Sequence, residues 1–245
     1  MNAIIAAIVA FLVGFVASYL AQWPTPPRTL WRMWLSRRRR ERRCYTIQGG
    51  KTYIVPSSST DKVSRYLSEH DMSCVEAVVT MLRESGYRDG DDFQVYFQDP
   101  TRDTVPPSVR TQNLVLVCGP KRNRLVESVL RDFPNLLSSV SPDISQGAAF
   151  LWRGKTYTPT DTRDYALVAV KRNPYNSKRR LVLLFGLKSI GTKGAGSFYA
   201  DRGWSQARAE IADKLETRGG EIETILSIDH TPDYHEITHI APVVS

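Results

Sequence analysis

The sequence predicts an α/β domain with a mostly parallel central sheet and antiparallel edge hairpins, set behind one transmembrane helix. Three observations carry this. Residues 3–21 run nineteen positions without a charged side chain. From residue 44 onward, short β-branched runs alternate with amphipathic helical stripes, the order that puts crossover helices between parallel strands. Residues 113–118 (NLVLVC) are apolar without alternation, as in a strand buried on both faces.

The amino-terminal run (AIIAAIVAFLVGFVASYLA) would span roughly 28 Å as a helix, close to the ~30 Å of a bilayer core. No Lys or Arg precedes it, while Arg28, Arg32, Arg37, Arg38, Arg39, Arg40, Arg42 and Arg43 follow. A secretory signal carries its positive charge before the apolar stretch. The charge asymmetry therefore predicts a single-pass anchor in the inner (plasma) membrane, with the amino terminus outside and the remainder in the cytoplasm. This divides the chain into a transmembrane helix (1–23), a basic juxtamembrane segment (24–43) and a cytosolic α/β domain (44–245). Leu30, Trp31, Trp34 and Leu35 share one side of a helix and Arg28 and Arg32 another. The segment thus reads either as a short interfacial helix, its Arg side chains facing anionic lipid, or as a solvated stop-transfer tail. In either reading the bilayer is a partner.

The formal net charge of +8 belongs to that segment. Residues 22–43 hold eight Arg and one Glu, leaving +1 for residues 44–245. A near-neutral domain lacks the electrostatic footprint of a nucleic-acid binder, so no nucleic-acid partner is expected. The three cysteines, Cys44, Cys74 and Cys118, form no C-x-x-C pair. This fits a reducing compartment and gives no cysteine-based zinc site. Cys74 and Cys118 read as small core side chains.

Within the domain, residues 45–47 and 51–55 flank a Gln48-Gly49-Gly50 turn and predict a hairpin. The second strand opens into Pro56, Ser57, Ser58, Ser59, Thr60 and Asp61. Ser73 and Glu76 form a capping box, with Val75, Val78, Val79 and Leu82 as the apolar stripe and Gly86 as the stop. Residues 92–97 predict a strand that runs into Asp99 and a Pro-rich loop. The buried strand 113–118 ends at Gly119-Pro120, before a helix with Leu125, Val126, Val129, Leu130 and Phe133. A hairpin is expected around Arg153-Gly154, and two strands, 165–170 and 181–185, are joined by Asn173-Pro174-Tyr175-Asn176. A Gly-rich loop over 186–197, a helix to Leu215 closed by Gly219-Gly220, and two strands at 223–228 and 236–244 complete the order.

Ligands in such sheets bind beyond the carboxyl ends of the strands. After the strand RRLVLLF, the spacing of Gly186 and Gly191 matches the start of a P-loop, but Thr192-Lys193 reverses the Lys-Ser/Thr order, so no ATPase is read from it. Two readings stay open for Gly191, Thr192, Gly194 and Gly196. One is a cradle of backbone N–H groups for phosphate or carboxylate; the other is a tight turn whose glycines let helix and strand approach closely. Gly119 and Asn123, with Lys121 and Arg122, form a second candidate, in which Asn123 either caps its helix or bonds a ligand. Ser57 and Ser58 offer hydroxyls to phosphate or sugar. Asp99, Asp103 and Glu127 are candidate carboxylates for ribose hydroxyls or catalysis. His235-Glu236-Ile237-Thr238-His239 matches the H-E-x-x-H zinc signature, which needs both histidines on one helical face. β-branched residues, the preceding Thr231-Pro232-Asp233 turn and Pro242 predict a strand instead, with the histidines roughly 13 Å apart. No metal site is expected, and no cofactor is read from the sequence.

The run TYIVPSSS, the capped helix, QVYFQD and NLVLVCGP are similar to prokaryotic Rossmann-like domains that bind nucleotides or nucleosides, including deoxyribosyltransferase-like and nucleotide-sensing domains. DYALVAVKRNPYN followed by RRLVLLFGLKSIGTKGAG resembles a recurrent prokaryotic version of such a domain. The resemblance implies a Rossmann-like three-layer fold and a nucleotide-like small molecule as ligand, and leaves the reaction open. The expected function is a sensor or effector in bacterial signalling or defence. A nucleoside or NAD glycosidase or transferase, and a membrane-tethered scaffold with no small ligand, are the alternatives.

Overall fold

The computed structural model describes residues 49–57, 68–99, 105–138, 140–143, 149–200, 221–233 and 236–243. The element order is β1 (Thr52–Val55), α1 (Glu69–Glu84), β2 (Phe93–Val95), α2 (Pro107–Arg110), β3 (Asn113–Val117), α3 (Arg124–Asp132), β4 (Val140–Asp143), β5 (Ala149–Trp152), β6 (Lys155–Tyr157), β7 (Arg163–Asn173), β8 (Asn176–Gly186), α4 (Ser189–Ala200), β9 (Ile222–His230) and β10 (Ile237–Pro242). Seven strands form one mixed sheet in the order β10-β9-β7-β8-β3-β1-β2, and β4-β5-β6 form a small separate sheet. Strands β2, β1, β3 and β8 run parallel to their neighbours. The β7–β8, β7–β9 and β9–β10 pairings are antiparallel.

Parallel pairing therefore covers half of the sheet rather than most of it. The β7–β8 hairpin is long and turns tightly at Asn173, so β8 returns beside β7, and the pairings from there through β9 to β10 are antiparallel. The expected Arg153-Gly154 hairpin forms with both residues at positive φ (49° and 77°), the twist that two-residue hairpins favour. It lies in the small sheet and not at an edge of the large one. The proposed partner strand at 45–47 lies outside the described residues. So do the expected helix to Leu215, the anchor at 3–21 and the basic segment 24–43. Among the described residues no helix is long and apolar enough to cross a membrane.

Strand β3 shows why the centre is firm. Leu114, Val115, Leu116 and Val117 are all fully buried. Leu114 and Leu116 join one core with Val126 and Val129 of α3, while Val115 and Val117 join another with Val78 and Leu82 of α1. Full burial of each such side chain is worth about 1.5–3 kcal/mol. A strand apolar at every position is what two covered faces require.

Helix α1 begins one turn earlier than the Ser73/Glu76 capping box implies. Ser68 is the N-cap, its hydroxyl accepting from the Asp71 N–H (3.1 Å), and Ser73 lies inside the helix, donating to the Glu69 carbonyl (3.0 Å). Gly86 closes the helix at φ 88°, a left-handed position that glycine takes without a Cβ penalty. The 186–197 stretch is also not a loop: Gly191, Gly194 and Gly196 lie within α4. Each interior glycine costs roughly 1 kcal/mol in helix propensity, so close packing must offset it. A Cβ on Gly196 would stand 2.7 Å from Cα of Cys74 on α1, and one on Gly194 would collide with Ile228 of β9.

Candidate functional site

The order β2-β1-β3 sets β1 between its two successors. The chain passes from β1 to β2 on one side, then crosses back to β3 on the other, and such reversals open a crevice at the carboxyl ends of the strands. A cavity of about 380 Å³ lies at this end of the sheet, within the range of small-molecule sites. Its walls come from Ser68 and Asp71 at the start of α1, the loop from Cys118 to Arg122 after β3, Ala149 and Phe150 of β5, and the connection from Phe185 to Ser189 after β8, with Thr192 of α4.

Asp71 is almost wholly buried. The Ser57 hydroxyl, from the end of β1, donates to its Oδ2 (3.0 Å), while Oδ1 has no hydrogen-bond partner. A buried carboxylate oxygen without a donor forfeits hydration without compensation. The Cys118 thiol faces this carboxylate; burial first, and then the Asp71 charge, push it up to about 12. At neutral pH it is a protonated, weakly donating thiol and not a nucleophile. Cys118 adopts φ 76°, a left-handed conformation costing a non-glycine residue about 1–2 kcal/mol. That strain falls where β3 turns into the cavity wall.

Part of the cavity wall is apolar, with the Phe150 and Phe185 rings 5.8 Å apart and inclined at 53°. Gly119 sits against the Phe185 ring, where a Cβ would be 3.4 Å from its edge. Lys121 and Arg122 are exposed and Lys188 is half-buried, its Nζ donating to the Thr160 carbonyl (3.0 Å). The wall thus joins a buried aspartate, two aromatic rings and three cations.

At the neighbouring helix start the polar groups are already matched. Asp164, fully buried on β7, accepts from the N–H groups of Tyr165 (2.8 Å), Lys188 (3.0 Å) and Gly191 (2.7 Å). Burial raises its carboxyl, and those N–H groups pull it back. Thr192 Oγ1 accepts from the Gly186 N–H (3.1 Å). The anion at the amino end of α4 is therefore a side chain of this protein. Asn123 is likewise used up. Its Nδ2 donates to the carbonyls of Val55 (3.0 Å) and Val117 (2.9 Å), and its Oδ1 accepts from Leu125 N–H (3.1 Å), Val126 N–H (3.2 Å) and Gln98 Nε2 (2.8 Å). It caps α3 and ties the ends of β1 and β3 together.

Of the residues singled out in sequence, Gly119 and Thr192 reach the cavity, with Lys121 and Arg122, and Ser57 acts on it through Asp71. Gly191, Gly194 and Gly196 are buried in α4, with packing contacts toward Asp164, Ile228 and Cys74. Asp99 is exposed and lines a separate hollow of about 90 Å³ with Arg110, Arg124 and Arg131. Glu127 is exposed on α3 and lines neither cavity. Ser58 and Asp103 lie outside the described residues, as does His235; His239 is on strand β10, opposite Asp229. Sequence reasoning passed over Asp71 and Asp164 and read Cys118 only as a small core side chain. The available signal was an acidic residue in the first turn of a helix that follows a strand, but placing the helix start at Ser73 moved Asp71 out of that turn.

Fold and cavity together define a mixed α/β domain with a small-molecule-sized site at the ends of its parallel strands. Comparison of the chain with protein-family models, curated proteins and solved structures finds no match.

Proposed function

We propose that the protein is a single-pass membrane protein whose cytosolic, Rossmann-like three-layer domain binds a nucleotide or related phosphorylated small molecule, acting as a sensor or effector in bacterial signalling or defence. The observation that carries the reading is the cavity at the strand ends, lined by the Phe150 and Phe185 rings, by Lys121, Arg122 and Lys188, and by the edge of the almost wholly buried Asp71. A volume of about 380 Å³ is near the lower end of ligand sites and matches one nucleotide better than two. Phe150 and Phe185 offer apolar surface for a base, and Lys121, Arg122 and Lys188 offer charge to a phosphate. The uncharged run at 3–21 and the Arg residues after it support the anchor and its orientation.

A second reading, a nucleoside or NAD glycosidase or transferase, draws on the same carboxylate. In that case Asp71 takes the role that the sequence offered to Asp99, Asp103 and Glu127. A scaffold without a small ligand makes no use of a cavity of this size.

Thermal unfolding of the full-length chain in detergent, with and without nucleoside monophosphates, NAD and cyclic nucleotides, tests the binding reading. A ligand at one hundred times its Kd stabilises by about 2.7 kcal/mol, a rise of roughly 5–10 °C for a domain of this size. Product formed on incubation with the stabilising compound would select the enzymatic reading. An unchanged Tm across the panel would overturn both in favour of the scaffold.

A further inference from the structure

At the end of the large sheet away from the cavity, the β7–β8 hairpin outruns the parallel strands. Strand β3 pairs with β8 from Leu114 opposite Leu181 onward, so the turn and residues 176–180 extend roughly 15 Å past that pairing. The projection is braced. Asn173 Nδ2 donates to the Arg110 and Gln112 carbonyls (2.7 Å each), and Asn176 Nδ2 donates to the Thr111 carbonyl (2.8 Å). It carries Arg172, Lys178, Arg179 and Arg180, of which Arg172 and Lys178 are exposed. Arg172 and Arg180 are direct cross-strand partners, a like-charge pairing that works against stability. The neighbouring carboxylates have cations of their own: Glu223 and Glu221 face the buried Lys171 (2.9 and 3.9 Å), and Asp132 meets Arg131 (3.2 Å). Residues 44–245 are close to neutral as a whole, so the hairpin is a local concentration of positive charge.

The same end receives the chain from the uncharged run and the Arg-rich segment. Gly49 and Gly50, both at positive φ (81° and 128°), pass against the Arg179 guanidinium and lead into β1. The connection from Ala21 to Gly49 reaches at most about 100 Å when extended. We infer that the hairpin end is a docking surface for anionic lipid headgroups, which it meets through Arg172, Lys178, Arg179 and Arg180, leaving the cavity at the other end of the sheet open to solvent. The inference rests on the anchor reading above and adds the face of the domain that meets the bilayer. The cytoplasmic leaflet carries a negative surface potential that attracts Lys and Arg within a Debye length. A tether keeps that surface at high effective concentration, so a few cations suffice.

The test uses the full-length chain in vesicles of phosphatidylcholine alone or enriched in phosphatidylglycerol, with an energy-transfer acceptor on the headgroups. A donor dye is attached at Ser177→Cys in the hairpin or at Asp161→Cys, which is exposed beside Thr160 at the cavity end. Both are made in a Cys44→Ser background, since Cys74 and Cys118 are buried. The length of β8 sets the two dyes roughly 35 Å apart. In phosphatidylglycerol, transfer from residue 177 is expected to exceed that from residue 161 severalfold. It should fall to the phosphatidylcholine level with Arg172→Glu/Lys178→Glu, and in 1 M salt, where the Debye length is about 3 Å. Arg172→Gln/Lys178→Gln replaces the Glu pair if that pair disturbs folding. Equal transfer in the two lipids would overturn the inference. So would a lipid response that survives loss of the hairpin charges, which would assign the attraction to residues 24–43. A hairpin that ignores lipid but binds duplex RNA or DNA would give the surface to nucleic acid instead. Carbonate washing checks the anchor separately: release of the chain from the vesicles would remove the anchor reading, and this inference with it.

Discussion

Two buried aspartates stand near helix starts at the same end of the sheet, and their surroundings differ. Asp164 accepts from three backbone N–H groups, and through Lys188 and Gly191 it fastens the β8–α4 connection to β7. Asp71 receives one side-chain hydroxyl on Oδ2, with the weakly donating Cys118 thiol beside it. The first carboxylate is consumed by folding. The second is held in place at a cost, beside a strained Cys118 and an open cavity. Burial alone does not separate the two, since both residues are inaccessible; their hydrogen-bond partners do.

The largest effect should come from Asp164→Ala. It strips the Tyr165, Lys188 and Gly191 N–H groups of their acceptor, and such unsatisfied donors together cost about 3 kcal/mol or more. A fall in Tm of roughly 6–12 °C is expected. Next comes Gly196→Ala. Its new Cβ would lie 2.7 Å from Cα and 2.9 Å from Cβ of Cys74, so α1 and α4 must separate. Overpacking of this kind costs about 1–3 kcal/mol, partly offset by alanine's better helix propensity. Cys74→Ala should not rescue it, because the Cα and Cβ remain, and a double-mutant cycle reads this directly. The smallest effect is expected from Asp71→Asn, whose stability without ligand should stay within about 1 kcal/mol of wild type. If denaturant unfolding finds it as costly as Asp164→Ala, the contrast between the two aspartates fails.

The glycines after β8 show where reading by pattern stops. Strand, glycine repeat and following helix are the ingredients of an anion cradle and also of a tightly packed helix. The two cannot be separated until the neighbours are known. Here the neighbours are Asp164, Ile228 and Cys74, none adjacent in sequence, and the anion at the helix start comes from β7. Asn123 was legible as a cap from its place after Gly119-Pro120. Its three-way tie among β1, β3 and α3 was not, because Val55 and Val117 meet it only in the folded sheet. Asp71 was passed over because one misplaced helix turn hid its position.

The sequence alone determined the alternation of strands and helices, the doubly buried β3, the Arg153-Gly154 and β7–β8 turns, and the concentration of positive charge in residues 22–43. These follow from local periodicity, turn chemistry and composition, which act over a few residues. Only the tertiary structure decided that half of the sheet is antiparallel, that the glycine repeat is helix, and that Asp71 and not Asp99 or Glu127 meets the cavity. Each of these depends on residues far apart in the chain: β7 against β9, Gly196 against Cys74, Asp71 against Ser57 and Cys118. Hydrogen bonding and close packing select such partners through the whole fold, and no window of sequence contains both sides of the contact.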